Sequence, residues 1–155
     1  MPYQEIDALT DGQDLKVAII VAKFNELVTK RLLTGALNAL EHNGVTSSKI
    51  KVFWVSGAFE IPTVAMAAAQ SHKFDAVICL GAVIRGETSH FDYVSLGVTT
   101  GVAQIPLTTD IPTAFGILTT DTLEQALARS GSNDSNRGYD AAVSVLKTVN
   151  TIKQI

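Results

Sequence analysis

Histidine is the side chain best suited to exchanging protons near neutral pH, and the chain has three of them. His42, in His-Asn-Gly, and His72, in Ser-His-Lys, fall near the ends of apolar-periodic stretches. There a histidine complements a helix C-terminus or is simply solvated. His90 is different, because it closes the run Gly81-Ala-Val-Ile-Arg-Gly-Glu-Thr-Ser-His90, in which an apolar stretch meets a glycine turn and then a helix start. The first amides of a helix have no partner within it and carry the positive end of its dipole. The amides of Glu87 and Thr88, with the Thr88 hydroxyl, could therefore cradle a phosphate, with His90 beside it as acid and base. An ordinary strand-to-helix turn with a capping threonine fits the same spacing.

Further groups could serve a substrate. Ser56-Gly-Ala-Phe-Glu-Ile-Pro62 offers unhindered backbone at Gly57 and Ala58, followed by the Glu60 carboxylate, a set suited to a polyol. Taken alone, Glu60 could equally complement a helix dipole. Phe24 could form a stacking platform for a flat ring or pack at an edge. Arg129 and Arg137 are either surface decoration or bidentate partners for an anion. Cys79 is the only cysteine, so no intrachain disulfide is possible, and its apolar surroundings mark a buried thiol rather than a nucleophile.

A formal net charge of −3 argues against a general nucleic-acid or acidic-membrane binder. An anionic substrate must then be held by a local cluster of cations or amides. There is no GxGxxG, Walker A or HExxH sequence and no Cys/His cluster of metal spacing, so neither a cofactor nor a metal is expected. The start of the chain lacks the features of a secretory signal and no run is long enough to span a membrane, so a cytoplasmic protein is expected. What remains is a small enzyme acting by acid–base catalysis on an anionic, ring-bearing substrate.

The elements that must hold these groups alternate. Short β-branched runs at 15–22, 50–55, 75–84 and 112–118 read as strands. Between and after them, helices are expected at 26–43, 59–72, 88–104, 123–130 and 139–152. Asn25 is read as an N-cap, Gly44 as a left-handed C-terminal residue, and Thr122 with Gln125 as a capping box. Residues 1–14 form a polar arm with room for one short strand near 3–6. Alternation of this kind implies a single α/β domain over 1–155, a three-layer α/β/α sandwich around a four-stranded parallel sheet. Ligands bind such sheets at the carboxyl ends of the strands, which here are 23–25, 56–60, 85–90 and 119–121.

Four segments together resemble the lumazine synthase family: Lys23-Phe-Asn25, Ser56 to Pro62, Gly81 to Tyr93, and Phe115 to Ala126. The likeness runs in order over about 17–149. It implies a flavodoxin-like fold and the condensation of 5-amino-6-ribitylaminouracil with 3,4-dihydroxy-2-butanone 4-phosphate. The implied products are 6,7-dimethyl-8-ribityllumazine, phosphate and water, in the penultimate step of riboflavin biosynthesis. Carried over by motif, Phe24 stacks on the pyrimidine, Ala58, Phe59 and Glu60 hold the ribityl chain and ring edge, and Ala82, Val83 and Ile84 meet the uracil through backbone groups. Glu87 and Thr88 contact the phosphate with Arg129, His90 shuttles protons, and Phe115 closes over the ring.

Phe115 falls inside a strand and Arg129 at the far end of a helix, so neither obviously reaches His90 of its own chain. The resemblance implies a homo-oligomer with sites between adjacent subunits of a pentamer, an N-terminal arm adding a strand to a neighbour, and riboflavin synthase as a partner. Gly97 and Gly101, four apart, would permit close helix packing, either between subunits or on the chain's own sheet. The chain departs from the family at Ser56, often Pro, and in the loop 131–138, where Arg137 keeps a cation at the usual lysine position. That loop carries no insertion, which favours a shell of twelve pentamers over a free pentamer. Two other readings stay open: a flavin- or lumazine-binding module without catalysis, and a shell protein that has lost it.

Overall fold

The strand β1 (Val17–Ala22) is buried at every position, a pattern that only a central strand covered on both faces allows. The computed structural model describes residues 2–155 and places β1 between β2 (Ile50–Val55) and β3 (Ala76–Ile84), with β4 (Thr113–Thr120) beyond β3. All the pairings are parallel, in the order β2-β1-β3-β4. The expected flavodoxin-like sandwich is formed, with α1 (Glu26–His42) and α5 (Arg137–Ile152) on one face and α2 (Ile61–Gln70) and α3 (His90–Thr109) on the other. The short α4 (Leu123–Ala128) follows β4.

Side chains alternate between the two faces of each strand. Val17, Ile19, Ile78 and Leu80 thus join Leu32, Leu40 and Leu146 in the core under α1 and α5. Ala18, Ile20, Val77 and Cys79 join Ile61, Val98 and Ile105 in the core under α2 and α3. Burial pushes the Cys79 thiol up to about 12, which suits a packing residue and not a nucleophile. Gly44 takes φ +91 after α1, as its position requires, and both bonds of the Thr122–Gln125 capping box are made.

Several expectations are corrected. Within the single chain residues 3–6 form no strand, because a strand needs a ladder partner and no described residue pairs with this arm. The arm is exposed at Tyr3, Ile6 and Leu9, and is tied down only near its end, where Gly12 N–H donates to Asn43 O and Asn150 Nδ2 to Asp11 O. Asn25 occupies the N-cap position of α1 without capping it, since its backbone is left-handed (φ 63) and its side chain is engaged elsewhere. The helix expected at 88–104 begins at His90 and runs to Thr109, tolerating Pro106 in its last turn before Asp110 ends it at φ 62. Within the chain, Gly97 and Gly101 face residues at and just before the start of α2. A Cβ at Gly97 would stand 2.8 Å from the Phe59 ring, and one at Gly101 would stand 2.7 Å from Pro62.

Candidate active site

Two βα loops meet at the carboxyl end of the sheet because their backbones extend the ladder. Lys23 N–H donates to Val55 O at 2.7 Å and Phe24 N–H to Ser56 O at 2.9 Å. This holds the Phe24 ring out over the edge of the sheet, 71% exposed. The chain then turns through the left-handed Asn25, a conformation asparagine tolerates better than most residues.

β3 outruns its neighbour. Its pairing with β1 stops at Leu80, while its pairing with β4 continues to Ile84. Beyond Leu80 the backbone on the β1 side would be left without a ladder, and Asn25 Nδ2 takes up the first carbonyl, Ala82 O, at 2.8 Å. Successive residues of a strand turn their N–H and C=O to opposite edges, and Arg85 N–H points to β4, where it donates to Thr120 O. Ile84 therefore turns its peptide groups toward the open side.

That open side is a cavity of about 730 Å³, within the range of small-molecule sites. Phe24, Ala58, Phe59, Glu60, Ala82, Val83, Ile84, Thr88 and His90 all line it. Ala58–Glu60 form a single 3-10 turn ahead of α2, in which Ser56 Oγ donates to Glu60 Oε1 at 3.2 Å. At the other wall the Thr88 hydroxyl accepts from His90 N–H at 3.3 Å, and His90 opens α3. A carboxylate, an imidazole, an aromatic face and free strand backbone thus surround one space. Among the described residues, no lysine or arginine lines it.

Three expected residues lie elsewhere. Glu87 is exposed in the same loop but is not part of the cavity wall. Phe115 and Arg129 line a second concavity of about 490 Å³ along the free edge of β4, together with Arg137, Asp140 and Ser144. Phe115 is 43% exposed there. The two arginines are neighbours by backbone geometry, because Arg137 N–H donates to Arg129 O at 2.9 Å. The loop between them is fixed by the buried Asn136, which donates to Arg31 O and Gly131 O and accepts from Tyr139 N–H, each at 3.0 Å.

The model of the 6,7-dimethyl-8-ribityllumazine synthase family matches residues 14–153. The chain belongs to this family. It is accordingly a transferase of riboflavin biosynthesis with lumazine synthase activity, acting on small molecules in a family whose members typically assemble as oligomers. No helix among the described residues is long and apolar enough to cross a membrane.

The lumazine synthase resemblance assigns roles to residues at the walls but gives none to several that set the geometry. Gly86, Phe91, Tyr93 and Val94 also line the cavity, and the half-buried Asn25 and the buried Asn136 act as locks. Asn136 could have been found, since an asparagine three residues before Tyr139 at a helix start is an N-cap signal. Asn25 could not, because its partner Ala82 is 57 residues away.

Proposed function

We propose that the chain condenses 5-amino-6-(D-ribitylamino)uracil with 3,4-dihydroxy-2-butanone 4-phosphate, releasing 6,7-dimethyl-8-ribityllumazine, phosphate and water. The observation that carries this reading is the cavity at the strand ends, where an aromatic platform, a polyol-binding turn, free strand backbone and an imidazole face one space. Phe24 stacks on the pyrimidine, and Ala58, Phe59 and Glu60 bind the ribityl hydroxyls and adjacent ring edge. Ala82, Val83 and Ile84 present the strand edge to the uracil, with Ile84 offering its unpaired peptide groups. Glu87 and Thr88 hold the phosphate at the turn before α3.

The chemistry asks for proton transfers. Attack of the 5-amino group on the ketone and loss of water give an imine. Elimination then expels phosphate and leaves an enol that tautomerises to a ketone; the ribityl-bearing nitrogen attacks this carbonyl, and loss of a second water closes the ring. His90 carries protons to and from these centres, while holding two reactants together supplies effective molarities of ~10⁵ M or more.

The phosphate dianion needs a cation, and the cavity wall has none. Arg129 supplies it and Phe115 covers the ring, both from the β4 edge of an adjacent subunit of a pentamer, with Arg137 beside them. Twelve such pentamers form the shell that the short loop 131–138 favours. Mixing purified protein with both substrates and following lumazine absorbance and fluorescence tests the activity, and tight flavin binding without product would favour a carrier instead. Sedimentation of the native particle tests the assembly.

A further inference from the structure

Arg85 sits where three elements meet. Its Nε donates to Asp121 Oδ1 at 2.9 Å, just past β4, and its Nη1 to Asp92 Oδ1 at 3.3 Å in the first turn of α3. Its Cζ lies 4.3 Å from the centroid of the Phe91 ring, and its backbone N–H donates to Thr120 O at 2.9 Å. One residue thus ties the end of β3 to the end of β4 and to the start of α3. The hydrogen bond to Asp121 also raises its pKa further above the ordinary arginine value, so the fork stays charged.

Between these anchors runs the stretch 86–89, which has no ladder of its own. A Cβ at Gly86 would meet nothing within 4 Å, and Thr88 Oγ1 to His90 N–H is the side-chain hydrogen bond that ties this stretch together. Ion pairs as exposed as these add little stability. A planar guanidinium held by two carboxylates and a ring does, however, fix orientation, because its donors point in a rigid fork. With both carboxylates already paired to it, Arg85 is not the free cation that a phosphate would recruit.

We infer that Arg85 is a positioning residue, whose fork onto Asp121, Asp92 and Phe91 sets the 86–89 turn and the start of α3, and through them the phosphate-binding groups and His90. This rests on the reading of that turn as the phosphate site. The test compares wild type with Arg85→Ala, Arg85→Lys and Asp121→Asn. Both substrates are varied in steady state, and binding of inorganic phosphate alone is measured by calorimetry.

Arg85→Ala raises the KM for the keto-phosphate and weakens phosphate binding, each on the order of tenfold, and lowers kcat, while the KM for the pyrimidine stays within about twofold. Arg85→Lys, able to pair with one carboxylate but not to fork, recovers part of the loss. Asp121→Asn moves the same parameters less and adds nothing in the Arg85→Ala background. Unchanged phosphate-side parameters overturn the inference. So does an equal rise in both KM values with a lowered Tm, which would mark a merely structural strut. If wild type forms no lumazine, the proposed activity fails, and the phosphate-binding ratio alone still decides the role of Arg85.

Discussion

Two concavities of this chain carry complementary sets of side chains. The larger, at the carboxyl ends of β1, β2 and β3, has His90, Glu60, an aromatic face and open backbone, yet no lysine or arginine in its wall. The smaller, along the edge of β4, has two arginines and Phe115, yet no histidine and only the Asp140 carboxylate, which pairs with Arg137 at 3.6 Å. The imidazole and the arginine pair thus lie in different concavities of the monomer. The reason is topological, since loops at strand ends can surround a ligand whereas an edge strand offers only one flank. Under the proposed reading, the two surfaces form one site when the edge of one subunit meets the strand ends of the next.

The largest effect should come from the proton-carrying half. His90→Ala is expected to slow turnover ~10²–10⁴-fold while leaving ligand binding largely intact, as single-turnover rates and ligand titration would show. An unchanged rate would remove His90 from the mechanism. From the other half, Arg129→Ala should raise the KM for the keto-phosphate roughly 10- to 100-fold, with the pyrimidine KM little altered. The comparison itself is tested by co-assembling His90→Ala and Arg129→Ala chains. Sites shared between subunits regain activity at about a quarter of interfaces, whereas sites within one chain regain none.

Smaller effects sharpen the picture. Asn136→Ala removes the side-chain partner of Arg31 O in α1, of Gly131 O in the loop between the arginines and of Tyr139 N–H in the first turn of α5, and should lower stability by about 1–3 kcal/mol in chemical denaturation. Its kinetic effect should fall on the phosphate side alone. Cys79 belongs to neither concavity and supplies a control. Its thiol titrates at about 12 when folded and near 8.5 when unfolded. Folding favours the neutral form, so this contribution is complete below about pH 8.5 and lost as the pH climbs toward the folded value. The stability advantage of wild type over Cys79→Ala should therefore shrink between pH 8 and pH 10.5, with activity unaffected at neutral pH.

What could be read from the sequence follows the range of the interaction. The fully buried β1 run, the Thr122–Gln125 box and the glycine after α1 are local signals, and each describes the element found. The cavity wall was also legible, because the strand-to-helix turns that form it are contiguous motifs. The side-chain bond of Asn25 has no local signal because its partner lies on another strand, and α3 extends beyond the expected 88–104 because its last turn accommodates Pro106. The strand expected near 3–6 has no ladder partner among the described residues, so nothing within the chain fixes it. The fork of Arg85 onto Asp121, 36 residues away, has no local signature at all.

The four-residue overhang of β3 past its pairing with β1 bears on how such a protein can change. Peptide groups are common to every residue except proline, whose nitrogen carries no hydrogen. Under the proposed reading, a ligand edge read by backbone groups of this overhang is therefore insensitive to most point substitutions there. Side chains at these positions can drift with the packing beneath them while the recognised pattern persists. Altering which heterocycle is accepted would instead require shifting the strand or shortening it, a step that single mutations rarely achieve.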